Sequence, residues 1–157
     1  MTSTQLIRVN LEEVRRRSTI LWNGIPEKFY TWQPDQTAIP VLEMVRHILE
    51  GEHAYHTIIL GRGDKGDNYV SPWEGRPYTN VTDELAFAKP YREEFLKMVD
   101  SFSEQDLDEI IINRPTLGQR RKLGDYLLRI AYHEGVHTGQ MLSYLRTLGI
   151  DRPKIWD

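Results

Sequence analysis

Residues 131–141 read AYHEGVHTGQM, a stretch that places two histidines four residues apart inside an amphipathic run. On a helix, four residues turn through about 400°, so His133 and His137 lie roughly 40° apart and one turn apart along the axis, close enough for both imidazoles to reach one metal ion. On the same helical wheel Tyr126, Ile130, Gln140 and Tyr144 surround the pair, and Leu127, Met141, Leu145 and Leu148 continue an apolar arc to one side. The wheel therefore directs the histidines toward the core, where unpaired imidazoles would cost free energy and a metal would satisfy both at once. The helix runs from about Gly124 to Leu148, where Gly149 ends it and Pro153 prevents its resumption.

Working outward, three further helical patterns precede this one. Ile7, Leu11, Val14 and Leu21 recur at helical spacing until Gly24 and Pro26 break the run. A second helix begins near Pro40 and reaches about Leu60. A third starts after the Thr82 region and carries an apolar stripe of Ala88, Tyr91, Phe95, Met98 and Phe102, with Pro90 expected to kink or restart it. Residues 61–80 are rich in Gly, Asp, Asn and Pro, long enough for a lid or a partner surface. Between residues 101 and 122 a capping-type SEQD, a β-branched run and a Gly-containing turn predict irregular structure with a short hairpin. The expectation is an all-α protein, a four-helix bundle with a long loop between helices two and three, forming a single domain over residues 1–157.

Composition excludes several function classes. With 20 Lys and Arg against 23 Asp and Glu, the net charge of −3 gives no general attraction to nucleic acid or to an anionic membrane. The N-terminal MTSTQLIRVN has no apolar run of a signal peptide, so a cytoplasmic location is expected. The chain has no cysteine, so a metal would have to be held by His, Asp or Glu, and any thiol would come from a cosubstrate.

AYHEGVHTGQM also matches the H-E-x-x-H pattern of zinc proteases. A protease of that type needs a third ligand downstream, and no His or Glu follows His137. The third ligand is then sought upstream, among His47, His53 and His56. His47 shares a helical edge with Met44, Gly51, Ala54 and Ile58, whose small members leave room beside an imidazole; His53 lies among Arg46, Glu50 and Thr57 on what reads as a solvated face, and His56 follows Glu52 by one turn as for a surface ion pair. His47, His133 and His137 are the expected metal ligands. Three histidines leave an open position, as in catalytic rather than closed structural sites, and suit zinc, nickel and other transition metals alike, with zinc the first expectation.

Three features together carry a family resemblance that covers nearly the whole chain: TWQPDQTAIPVLEMVRHI (31–48), YHEGVHTGQMLSYLRTLGI (132–150) and the long loop between the middle helices. The sequence resembles the DinB-like (DinB/YfiT) superfamily of metal-binding four-helix bundles. The resemblance implies a ligand triad on His47, His133 and His137, an up-up-down-down bundle and a homodimer. It also implies, for some relatives, metal-dependent transfer or isomerisation with a low-molecular-weight thiol.

A divalent ion on three neutral ligands keeps its full charge and would acidify a bound water or thiol. The expected function is accordingly a metal-dependent transferase of the thiol S-transferase type, or a hydrolase, with a small-molecule substrate. The alternative is a non-catalytic, stress-related metal-binding or ligand-sequestering bundle, and a zinc protease comes last. Glu134, inside the apolar arc, is the candidate catalytic carboxylate, with a structural pairing to an arginine of helix one as its competing role. Gln140, Tyr126 and Tyr144 are candidate substrate contacts. The Arg15-Arg16-Arg17 run reads as a solvated face.

Overall fold

The computed structural model describes residues 1–156. Four long helices, α1 (Ser3–Asn23), α2 (Val41–Leu60), α3 (Val81–Asp100) and, last in the chain, α5 (Leu123–Thr147), form the bundle. Between α3 and α5 lie a short helix, α4 (Glu104–Glu109), and a hairpin of β1 (Ile111–Arg114) and β2 (Gln119–Lys122), paired antiparallel with Ile111 opposite Lys122. The fold class is all-α, with the hairpin a minor addition. None of the described helices is long and apolar enough to cross a membrane.

Local chemistry starts and stops these elements. Thr2 caps α1 in a reciprocal box with Gln5, Asn80 caps α3 by accepting from the Asp83 amide, and Ser103 caps α4 in a box with Asp106. α2 has no side-chain cap. Instead the connector before it turns back so that the Trp32 and Tyr30 carbonyls accept from the Val41 and Leu42 amides, at 3.1 and 2.9 Å. α3 runs through Pro90 as one element.

Residue pairings give the helix directions. Arg15 meets Glu134 and Ser18 meets Thr138, so α1 and α5 run parallel. Arg46 meets Glu84 and Glu52 meets Arg92, so α2 and α3 also run parallel. Arg8 with Asp100 and Arg92 with Leu11 set α3 antiparallel to α1, and His47 with His137 and Tyr55 with Tyr126 set α5 antiparallel to α2. The order along the chain is up-down-down-up, which corrects the expected up-up-down-down arrangement.

This topology explains the long loop. Parallel α2 and α3 force the chain to return along a 20-residue helix, a span of about 30 Å, before α3 can start. Residues 61–80 make that return and are pinned along it. Trp73 is buried in the core, and the buried Arg46 donates to the Arg76 and Pro77 carbonyls, both at 2.7 Å, while pairing with the fully buried Glu84. At its start the loop passes so close to β1 that a Cβ on Gly63 would fall 1.8 Å from the Asn113 carbonyl oxygen, at a φ of +128° that also favours glycine. The segment is thus a packed crossover rather than a lid.

The core has two apolar clusters. One is built around Leu21, Trp22, Val41, Val45, Ile48, Met141 and Leu145, the other around Leu11, Ile58, Ile59, Phe95, Ile112 and Leu127. On every long helix one charged residue falls between them: Arg15, Glu52, Arg92 and Glu134. Arg15 donates from Nε and Nη2 to the two oxygens of Glu134, both at 2.9 Å, and reaches Glu52 at 3.4 Å; Arg92 also pairs with Glu52. The four side chains make one buried chain of charge through all four helices. Burial alone would lower the Arg15 pKa, but Glu52 and Glu134 outweigh it and hold it above its ordinary value.

Candidate metal centre

α2 and α5 cross antiparallel with their histidines facing one another. His133 Nε2 lies 3.1 Å from His47 Nε2 and 3.2 Å from His137 Nε2. One potential ligand atom from each ring can be chosen so that all three lie within 4.8 Å of one another. Gly51 leaves room for the facing ring: a Cβ there would stand 3.2 Å from His133 Cε1, close enough that the ring would have to shift slightly.

The distances bear directly on what the cluster can hold. A ring nitrogen has either one proton or one lone pair, so His133 Nε2 cannot satisfy both neighbours by hydrogen bonding. A tetrahedral zinc ion with bonds of about 2.0–2.1 Å would space its nitrogens roughly 3.3–3.4 Å apart, close to the two separations at His133 Nε2, while the three ligand atoms together lie within 4.8 Å. Protonation is disfavoured as well. Burial first, then the neighbouring His137 and His47, push the His133 pKa down to about 4, and desolvation of the inward side of the otherwise exposed His47 ring, followed by His137, lowers that of His47. Neutral rings keep their lone pairs for a cation.

His137 is oriented by its own helix. Its Nδ1 donates to Gln140 Oε1 at 2.7 Å, which fixes the proton on Nδ1 and leaves the Nε2 lone pair facing the other two rings. Gln140, expected as a substrate contact, thus sets the tautomer of a ligand ring.

The cluster lies on the outer seam between α2 and α5 rather than at the bundle centre. His47 is exposed and His133 and His137 are half-buried, so one side is open to solvent. Glu134 points the other way. It is 3% exposed, and both its oxygens are engaged by Arg15. Tyr126 is also core, at 1% exposed and edge-on to Tyr55, which takes it out of the set that can face the open side. Tyr144 is half-buried two turns beyond His137, edge-on to Trp32 with ring centroids 5.5 Å apart, and closes one end of the seam.

The other two helix-two histidines depart from expectation. His53 is half-buried among Tyr69, Trp73 and Tyr91 because the crossover loop covers that face. His56 is buried edge-on to Phe95 and makes no pair with Glu52, which Arg15 and Arg92 hold. Neither joins the cluster.

Fold and site together define a small helical bundle with a three-histidine cluster compatible with metal binding. The sequence matches the family model of the DinB superfamily over residues 10–141, and the chain belongs to that family. Protein YjoA of Bacillus subtilis (strain 168) is 29% identical over 126 residues, 80% of this chain and 77% of YjoA. The crystal structure of YjoA, a DinB-like protein, superposes with a TM-score of 0.69 at 23% identity, covering 97% of this chain and 99% of that one. That likeness is one of fold.

Proposed function

We propose that His47, His133 and His137 hold a divalent transition-metal ion, zinc in the first instance and nickel as the main competitor, and that the open side of the site receives a small molecule. The observation that carries this is the double contact at His133 Nε2, which hydrogen bonding alone cannot satisfy. When bound, the ion supplies Lewis acidity and a positive charge opposite a developing anion. The chain's own part is to keep three ring nitrogens convergent, with Gln140 fixing the His137 tautomer and Gly51 leaving room for the His133 ring. A chain without cysteine that presents an open, three-histidine site suits a transferase using an external low-molecular-weight thiol, and a hydrolase is the variant in which water takes that place.

A second reading, a metal-binding or ligand-sequestering bundle without turnover, is favoured by one feature: Glu134, the carboxylate nearest in sequence to the ligands, is committed to Arg15. The same commitment leaves a protease without its base. The untagged protein is purified and its metal content measured, beside single alanine variants at the three histidines. Near-stoichiometric metal that falls away in all three variants is expected; full retention in His47→Ala would remove His47 from the site. Screening the loaded protein with small thiols and electrophiles then separates enzyme from binder.

The same reading includes a homodimer. Leu6 of α1 and Leu128, Tyr132 and Val136 of α5 are exposed apolar side chains on adjacent helices, beside a cleft of about 660 Å³ that Leu6, Ile7, Leu107 and Leu128 help to line. Light scattering on the eluting protein tests this, with Leu128→Glu expected to yield a monomer.

A further inference from the structure

The α5 face that carries the ligands continues one turn toward its N-terminus to Arg129, in helical register with His133 and His137 and about 6 Å along the axis from His133. Arg129 is half-buried. Its guanidinium lies 5.8 Å from the centroid of the Tyr126 ring, and its Nε is shielded from solvent without a hydrogen-bond partner. Asp125, the carboxylate at helical spacing from it, is held by Arg121 at 2.8 Å. β1 brings a second half-buried arginine, Arg114, within reach of the same tyrosine: burial pushes the Tyr126 hydroxyl pKa up, and Arg114 and then Arg129 oppose it.

Among the described residues neither arginine forms an ion pair. The other arginines that are not fully exposed are all ion-paired: Arg15, Arg46 and Arg92 with buried glutamates, and Arg8, Arg17, Arg76 and Arg121 with carboxylates nearer the surface. A partly desolvated guanidinium is costly without an anion, and here the cost rises further beside a site that takes a dication. Arg129 already acts on His133 as a positive charge. Across the seam the wall is of opposite sign, with Glu43 exposed and Glu50 near enough to act on His47. An anionic substituent entering the seam is therefore drawn to the α5 side.

We infer that Arg129 and Arg114 form an anion-binding subsite for the carboxylate of the substrate whose reacting end meets the three-histidine site. The planar fork of an arginine matches a carboxylate in shape and charge, so the pair would select carboxylated over neutral substrates and set their orientation. The substrate class is then a short-chain carboxylic acid bearing a metal-seeking group. The inference rests on the metal-site reading.

The protein loaded with cobalt, followed by visible absorption, is titrated with mercaptopropionate and with mercaptopropionamide, equal in length and differing in charge. The acid is expected to bind about tenfold more tightly or better, as for a charge-assisted bond. Arg129→Gln and Arg114→Gln should each erase most of that advantage while leaving the amide's affinity unchanged, and Arg129→Lys should restore part of it. Equal affinity for acid and amide in the unaltered protein would overturn the subsite. So would arginine variants that weaken both ligands alike, since that marks a structural role. Should the unaltered protein take up no cobalt, the metal site itself fails and the subsite with it; intact cobalt uptake without charge discrimination overturns the subsite alone.

Discussion

Replacing Glu134 with alanine leaves Arg15 in the bundle interior with one remaining partner, Glu52 at 3.4 Å, in place of two bonds at 2.9 Å and that longer contact. Breaking a buried pair by removing one member costs about 3–5 kcal/mol, and the surviving Glu52 contact places this case near the lower end, about 3 kcal/mol. For a chain of 157 residues that corresponds to a fall in Tm of about 6–12 °C. Arg15→Met should cost a similar amount, because Glu134 is then the group left unpaired. The double variant Arg15→Met/Glu134→Leu should recover most of the loss, since apolar replacement of a whole buried pair is often neutral. The assay is thermal unfolding followed by circular dichroism, run on the metal-free protein, with metal affinity measured separately on each variant. Single variants that lower Tm by less than about 2 °C, or a double variant whose loss is the sum of the singles, would refute the structural assignment of Glu134. Loss of metal-dependent turnover with Tm unchanged would instead return Glu134 to a catalytic role.

Two further outcomes follow from the site. The depressed His133 pKa means that the folded state resists a proton the unfolded chain accepts. Its contribution to stability is complete above the ordinary histidine value of 6.5 and is lost as pH falls from there toward about 4. Melts of the metal-free protein across that window should show Tm falling with pH, with a shallower slope in His133→Gln; equal slopes would contradict the assignment. Gly51→Ala should move stability and metal binding in opposite directions. A mid-helix alanine favours the helix by up to about 1 kcal/mol, whereas its Cβ presses on the His133 ring at 3.2 Å. Unfolding and metal titrations on the same preparation measure both, and unchanged metal affinity would show that the ring adapts.

What was legible in the sequence is what helical periodicity can express. The four long helices, the hairpin and the convergence of His47, rather than His53 or His56, on the α5 pair all rest on residues that repeat on one face or break a repeat. Relationships between faces of different helices were not legible. The wheel places Glu134 in an apolar arc and Arg15 in register with Leu11, Ser18 and Trp22, but only the closed bundle sets Arg15 against Glu134. His53 and His56 read as exposed because their own helix leaves that face polar; the crossover from residues 61–80, required only once α2 and α3 run parallel, is what helps to cover it. The same limit explains the position of the three-histidine cluster. Neighbouring apolar residues implied a core-facing site, yet a wheel locates a face and not the helix that meets it. α2 meets α5 at the edge of the arc, so the three rings converge where solvent can reach them while the charged layer of Arg15, Glu52, Arg92 and Glu134 occupies the centre. Separate positions for the two clusters keep the histidines accessible while the buried charges are matched among themselves.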